Sequence, residues 1–167
     1  MILEAPKMIL TRVFPKTCDN RYRGHWLGLV IFVAVMAVKA LQGIKSILDT
    51  RNTAINADGI PLPSFPPAAV EEIVSMFALL GLYLLIIPML SVVILIRWRS
   101  LIPLMYLLFL AFQVASRVVI ALNTASAQSG HPIGYYINIA ILAVTALGFL
   151  LSIVGSRYTE NSGSTSP

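Results

Sequence analysis

Charge is what this chain has least of. Only 11% of its 167 residues are Asp, Glu, Lys or Arg, against roughly 25% in an average soluble domain. Hydrophobic residues make up 57% and the mean hydropathy is +0.84, which excludes a water-soluble monomer and a disordered chain. Cysteine is nearly absent: Cys18 stands alone, so neither a disulfide framework nor thiol-pair redox chemistry within the chain is available. It reads as an inert free thiol. The two histidines, His25 and His131, are too few for a metal set or paired haem ligation. His25 reads as an interfacial residue and His131, before Pro132, as an ordinary loop residue. No Walker loop, G-x-G-x-x-G, G-x-S-x-G or H-E-x-x-H occurs. No Asp or Glu lies deep in an apolar run, so an intramembrane carboxylate relay has no members. These absences point away from an enzyme and imply no cofactor.

What is present is four apolar blocks: Trp26 to Leu48, Val70 to Ile96, Ile102 to Leu122 and Ile133 to Val154. Each is near or above the ~20 residues that cross a ~30 Å hydrocarbon core at ~1.5 Å per residue. In lipid every backbone N–H and C=O must be satisfied internally, and four spans cannot close a barrel. The expected fold is therefore all-α, a four-transmembrane-helix antiparallel bundle over residues 26–156. It follows a basic segment (residues 1–25) and precedes a Ser/Thr/Gly-rich tail (residues 157–167) expected to be disordered. The first apolar run, about 22 residues long, exceeds the roughly 7–15 of a signal-peptide core and lacks a small-residue cleavage site, so it is expected to be retained. Met1 to Leu3 recurs as Met8 to Leu10, which makes Met8 an alternative start without changing the fold.

Lys7, Arg12, Lys16, Arg21 and Arg23 precede span 1, Arg97 and Arg99 lie between spans 2 and 3, and Arg157 follows span 4. The other side has only Arg51 clearly outside the bilayer. The positive-inside rule then puts both termini in the cytoplasm of a multi-pass plasma-membrane protein. Trp26 and Trp98 fall at the inner boundary and Tyr135 and Tyr136 at the outer, as an aromatic belt requires. The net charge of +5 needs no nucleic-acid partner. A basic strip beside anionic headgroups accounts for it, at on the order of 1 kcal/mol per cation.

The outer loop, residues 49–69, contains Asp58-Gly59, which permits a tight turn, and Pro61, Pro63, Pro66 and Pro67, which oppose regular structure. An extended, semi-rigid loop is expected. Ile60, Leu62 and Phe65 suggest that it lies back over the outer mouth of the bundle, with a plain solvated connector as the alternative. The short turn from Arg97 to Leu101 makes spans 2 and 3 antiparallel neighbours. Pro88 should kink span 2, whereas Pro103 sits in a first turn at no cost. Small residues at four-residue spacing (Ala140, Gly148, Ser152 and Ser156 in span 4, Ala111 and Ala115 in span 3) allow close helix approach, either within the bundle or at a homodimer face.

Polar side chains inside spans are expensive, about 2.5–3.5 kcal/mol for a mid-bilayer Lys or Arg, so each needs a reason. Span 1 carries Lys39, Gln42 and Ser46 on one stripe, span 3 carries Gln113, Ser116 and Arg117 on another, and span 4 carries Asn138. Glu71 and Glu72 open span 2 at the outer surface. Lys39 then lies about 12–14 Å and Arg117 about 8 Å below the outer boundary. Lys39, Gln42, Glu72, Gln113, Arg117 and Asn138 form a candidate ligand or ion-pair cluster. Arg117 and Lys45 can instead snorkel outward, and Glu71 or Glu72 can pair with either. Lys39 cannot: its stem reaches only ~6 Å, so it needs a buried partner or a ligand. Two cations facing one cavity would favour a carboxylate, a phosphate or quinone-like carbonyl oxygens.

In size, span count, cytoplasmic termini and a first helix ending Leu41-Gln42-Gly43-Ile44-Lys45, the chain resembles the DoxX-like group of small bacterial membrane proteins. The resemblance implies an inner-membrane accessory subunit of a larger complex, acting through other membrane subunits or self-association. The cysteine pairs of some redox members are missing here. An accessory role stands first, binding or transport of a small anionic or quinone-like molecule second, and an independent enzyme last.

Overall fold

Each apolar block forms a helix in the computed structural model, which describes residues 10–123 and 132–154. Helix α1 spans Trp26–Leu48, the short α2 Thr50–Asn56, α3 Pro67–Arg97, α4 Ile102–Asn123 and α5 Ile133–Ile153. The expected tail (residues 157–167), Arg157, Ser156 and His131 lie outside the described residues. Four of these helices are long and apolar enough to cross a membrane, and they pack together as an all-helical bundle, so the chain is a multi-span membrane protein in contact with lipid.

Local chemistry sets the ends. His25 Nδ1 accepts a hydrogen bond from the Leu27 amide, capping α1. Helix α3 starts at Pro67, three residues before the expected Val70, because a proline at the first helical position loses no bond it could have made. Its 31 residues give a rod about 46 Å long, more than a bilayer core requires. The helix runs unbroken through the buried Pro88.

Helix α1 is the centre of the bundle and packs broadly on both α3 and α5. Its buried stripe, Gly28, Phe32, Val35, Met36, Lys39, Gly43 and Ser46, repeats every three or four residues. Against α3 the contact is close because both partners are glycine: a Cβ on Gly43 would stand 3.0 Å from the Gly81 carbonyl, and one on Gly81 2.8 Å from Ser46 Cβ. At the α1–α4–α5 junction Tyr106 is fully buried, meets Phe32 edge-on at 5.1 Å and donates to the Gly28 carbonyl at 2.7 Å. A Cβ on Gly148 would strike the Tyr106 hydroxyl and approach Ile31 to 2.8 Å. That part of the small-residue stripe is therefore spent inside the bundle.

Two expectations change. Helices α3 and α4 are joined by the short turn, yet α3 packs mainly on α1 and α4 mainly on α5. The outer loop is not extended throughout. Its first third is α2, held by Thr50 Oγ1 donating to the Ser46 carbonyl at 2.8 Å and by the fully buried Ala54; the prolines act only after it, where Leu62–Ser64 makes one 3-10 turn. The loop does fold back: the Gly134 amide donates to the Ala57 carbonyl at 2.9 Å and Leu62 is buried, although Phe65 stays exposed. Gly59 takes a φ of +70°, a left-handed turn conformation suited to glycine.

The basic segment also folds, from a helical turn at residues 10–13. Asp19 and Ser100 exchange backbone and hydroxyl hydrogen bonds of 2.9–3.2 Å, and the His25 amide donates to the Leu151 carbonyl at 3.0 Å. Together with Arg12, which donates to the Ile153 carbonyl, these bonds lay the segment across the end of the bundle that holds the α3–α4 turn.

Candidate binding site around Lys39

Lys39 falls on the buried stripe of α1, so its side chain is directed into the bundle and is only 7% exposed. Its Nζ donates to Asn138 Oδ1 of α5 at 2.8 Å and lies 5.9 Å from the centroid of the Phe109 ring of α4, at the edge of cation–π range. One turn further along α4, Gln113 is 8% exposed and donates through Nε2 to Thr145 Oγ1 at 3.4 Å. Arg117, one turn beyond that, stacks its guanidinium 5.3 Å from the Tyr135 ring. Arg117 follows Gln113 by four residues on the same face of α4, which puts a second cation on this side of the bundle. Helices α1, α4 and α5 thus bring Lys39, Gln113, Arg117 and Asn138 into one region.

The other two expected members stand apart. Gln42 is half-buried next to the region, and Glu72 is exposed. The pairing considered for Glu71 goes to Arg51 instead, at the loop surface, where both side chains are exposed. Among the described residues the ion pairs are Arg51–Glu71 and Arg23–Asp19, so no carboxylate among them reaches Lys39 or Arg117. A depression of about 370 Å³ at this end is lined by the loop and the start of α3, among them Arg51, Leu62, Phe65 and Glu71, and by none of the six expected site residues.

Sequence reasoning missed Phe109, Thr145 and Tyr135. Thr145 carried a signal, since Asn138, Thr145 and Ser152 recur every seven residues and mark one polar edge of α5. Phe109 carried none, because an aromatic residue in a span is ordinarily packing, and Tyr135 was legible only as an aromatic at the outer boundary. An ammonium has three N–H donors, and Lys39 uses one, on a neutral amide, with a second cation nearby. Such a site is chemically matched to an incoming oxygen acceptor, most of all an anionic one. Comparison with known protein families, curated proteins and solved structures finds no match to this chain.

Proposed function

We propose that the protein is a non-catalytic membrane protein that binds a small anionic or quinone-like molecule where Lys39, Asn138, Gln113 and Arg117 meet. The observation that carries this reading is the buried Lys39 ammonium, which makes one hydrogen bond and has no anion among the described residues. Burying a cation in that state is costly, and an acceptor-bearing ligand removes the cost. The test is purification in mild detergent followed by mass spectrometry of lipid-soluble molecules that accompany the protein. Wild type should carry a carboxylate, phosphate or quinone-like compound, and Lys39→Leu should retain about tenfold less, the loss of one charge-assisted hydrogen bond. Equal occupancy in both, or none in wild type, removes the reading.

A second reading, an accessory subunit as in the DoxX-like group, is favoured by α3. Among its 31 residues only Gly81, Pro88, Ser91 and Ile94 are buried, leaving most of its circumference for lipid or a further helix. The docking surface is then α3 rather than the Gly148 face, which Tyr106 occupies. Co-purification of a second membrane protein, lost on Tyr83→Ala with Ile86→Ala but not on Lys39→Leu, separates this reading from the first. In either case we infer an inner-membrane protein with both termini in the cytoplasm, on the strength of the arginines gathered at one end.

A further inference from the structure

At the opposite end of the bundle from Lys39, three arginines from two stretches of chain line one small hollow. Arg12 and Arg23 come from the N-terminal segment and Arg99 from the α3–α4 turn; Tyr22 and Ser152 are among the other lining residues. Each guanidinium has five N–H donors, and each spends one on the protein: Arg12 on the Ile153 carbonyl, Arg23 on Asp19 at 2.7 Å, Arg99 on the Leu95 carbonyl at 2.9 Å. Among the described residues Asp19 is the single carboxylate pairing with these three, so among them positive charge is in excess.

The hydroxyls are the second observation. Ser152 is 1% exposed, and both Ser152 Oγ and Tyr22 Oη are buried without a well-formed hydrogen bond. Buried hydroxyls left in this way are rare and call for a partner. Burial pushes the Tyr22 phenol above its ordinary range, the adjacent Ser152 hydroxyl pulling the other way. The phenol therefore stays protonated and able to donate. The hollow holds about 10 Å³, room for roughly one water-sized atom. It admits one oxygen of a larger oxyanion whose other oxygens stay at the mouth among the guanidinium groups. Trp26 and Trp98, 65% and 36% exposed, stand at this end of the bundle, where indole rings favour the headgroup layer.

We propose that Arg12, Arg23 and Arg99, with the Tyr22 and Ser152 hydroxyls, form a binding site for a phosphate oxyanion, supplied by the headgroup of an anionic lipid. Basic pockets between helices at a membrane surface select such headgroups. This site is independent of the one at Lys39.

The test reconstitutes the full chain in vesicles of phosphatidylcholine mixed with phosphatidylglycerol, releases it gently and measures retained lipid by native mass spectrometry. Phosphatidylglycerol should be retained preferentially, and Arg99→Gln combined with Arg23→Gln should lower that retention about tenfold. Among the described residues the Arg99 side chain bonds only to the Leu95 carbonyl four residues back, so Arg99→Gln alone preserves the fold and should show an intermediate loss. Ser152→Ala should also weaken retention, which a purely packing serine would not. Adding inorganic phosphate should leave the lipid in place. Equal retention of the two lipids, or unchanged retention in the variants, would leave the hollow to a water molecule and overturn the proposal. Displacement by phosphate, with phosphate bound in lipid-free detergent, would overturn the lipid source.

Discussion

At the scale of single residues, the core rests on a few contacts with no slack. Tyr106 reaches from α4 to the Gly28 carbonyl of α1 at 2.7 Å, and its hydroxyl occupies the space a side chain at position 148 would need. Gly148→Ala should destabilise the bundle by about 1–3 kcal/mol through overpacking. Tyr106→Phe should cost about 0.5–1.5 kcal/mol for the lost hydrogen bond, while vacating that space. The double variant should therefore be less destabilised than the sum of the two singles, a coupling that reversible unfolding in mixed micelles measures directly. Strictly additive losses would mean that the two residues do not share the space. Gly148 was legible in the sequence as one of a series of small residues, but the hydroxyl that fills its place was not, because periodicity gives a face and not its occupant.

At the scale of elements, the loop between α1 and α3 shows where local signals misled and where they held. Four prolines in residues 61–67 argued against helix for the whole of residues 49–69, yet they constrain only their own neighbourhood. Upstream, Thr-Arg-Asn-Thr-Ala-Ile-Asn is a weak helix former by propensity. It becomes α2 because Thr50 bonds back to the Ser46 carbonyl and Ala54 is fully buried, tertiary gains that a propensity argument omits. The turn at Asp58-Gly59 was legible and stands against Pro132 and Gly134. Loss of solvation there pushes the Asp58 carboxyl above its ordinary range, so the docked loop disfavours the charged form. The sign follows: a carboxyl raised in the docked state binds a proton more tightly there than when released, so docking strengthens as pH falls through the raised value and weakens above it. Hydrogen exchange at the Gly134 amide, corrected for intrinsic rates, should show greater protection at about pH 4 than at about pH 7. Asp58→Asn should flatten that dependence and increase protection at neutral pH. A pH profile identical in the variant would place the titrating group elsewhere.

At the scale of the whole molecule, the four spans could be read because apolar length in lipid admits one secondary structure, whereas their partnerships could not. The short turn from Arg97 to Leu101 implied that α3 and α4 pack together, but the close approach at Gly43 and Gly81 drew α3 to α1 instead. Lys39 and Arg117 could be read as misplaced charges, and their convergence with Asn138 depended on how α5 seats against both other helices. The same arrangement gathers Arg12, Arg21, Arg23, Arg97 and Arg99 with Trp26 and Trp98 at one end, which the proposed orientation puts in the cytoplasm. Cys18, the single cysteine, is exposed within that basic segment and serves as a native reporter. In intact cells a membrane-impermeant maleimide should leave Cys18 unmodified until the membrane is permeabilised. Ser64→Cys placed in a Cys18→Ser background puts the thiol at an exposed position on the proline loop and should react from outside without permeabilisation. The reverse pattern would invert the protein: the arginine-lined hollow would then meet the outer leaflet and Lys39 would lie nearer the cytoplasm. Inversion would leave the hydrogen bond from Lys39 to Asn138 intact and would change only the side from which a ligand arrives.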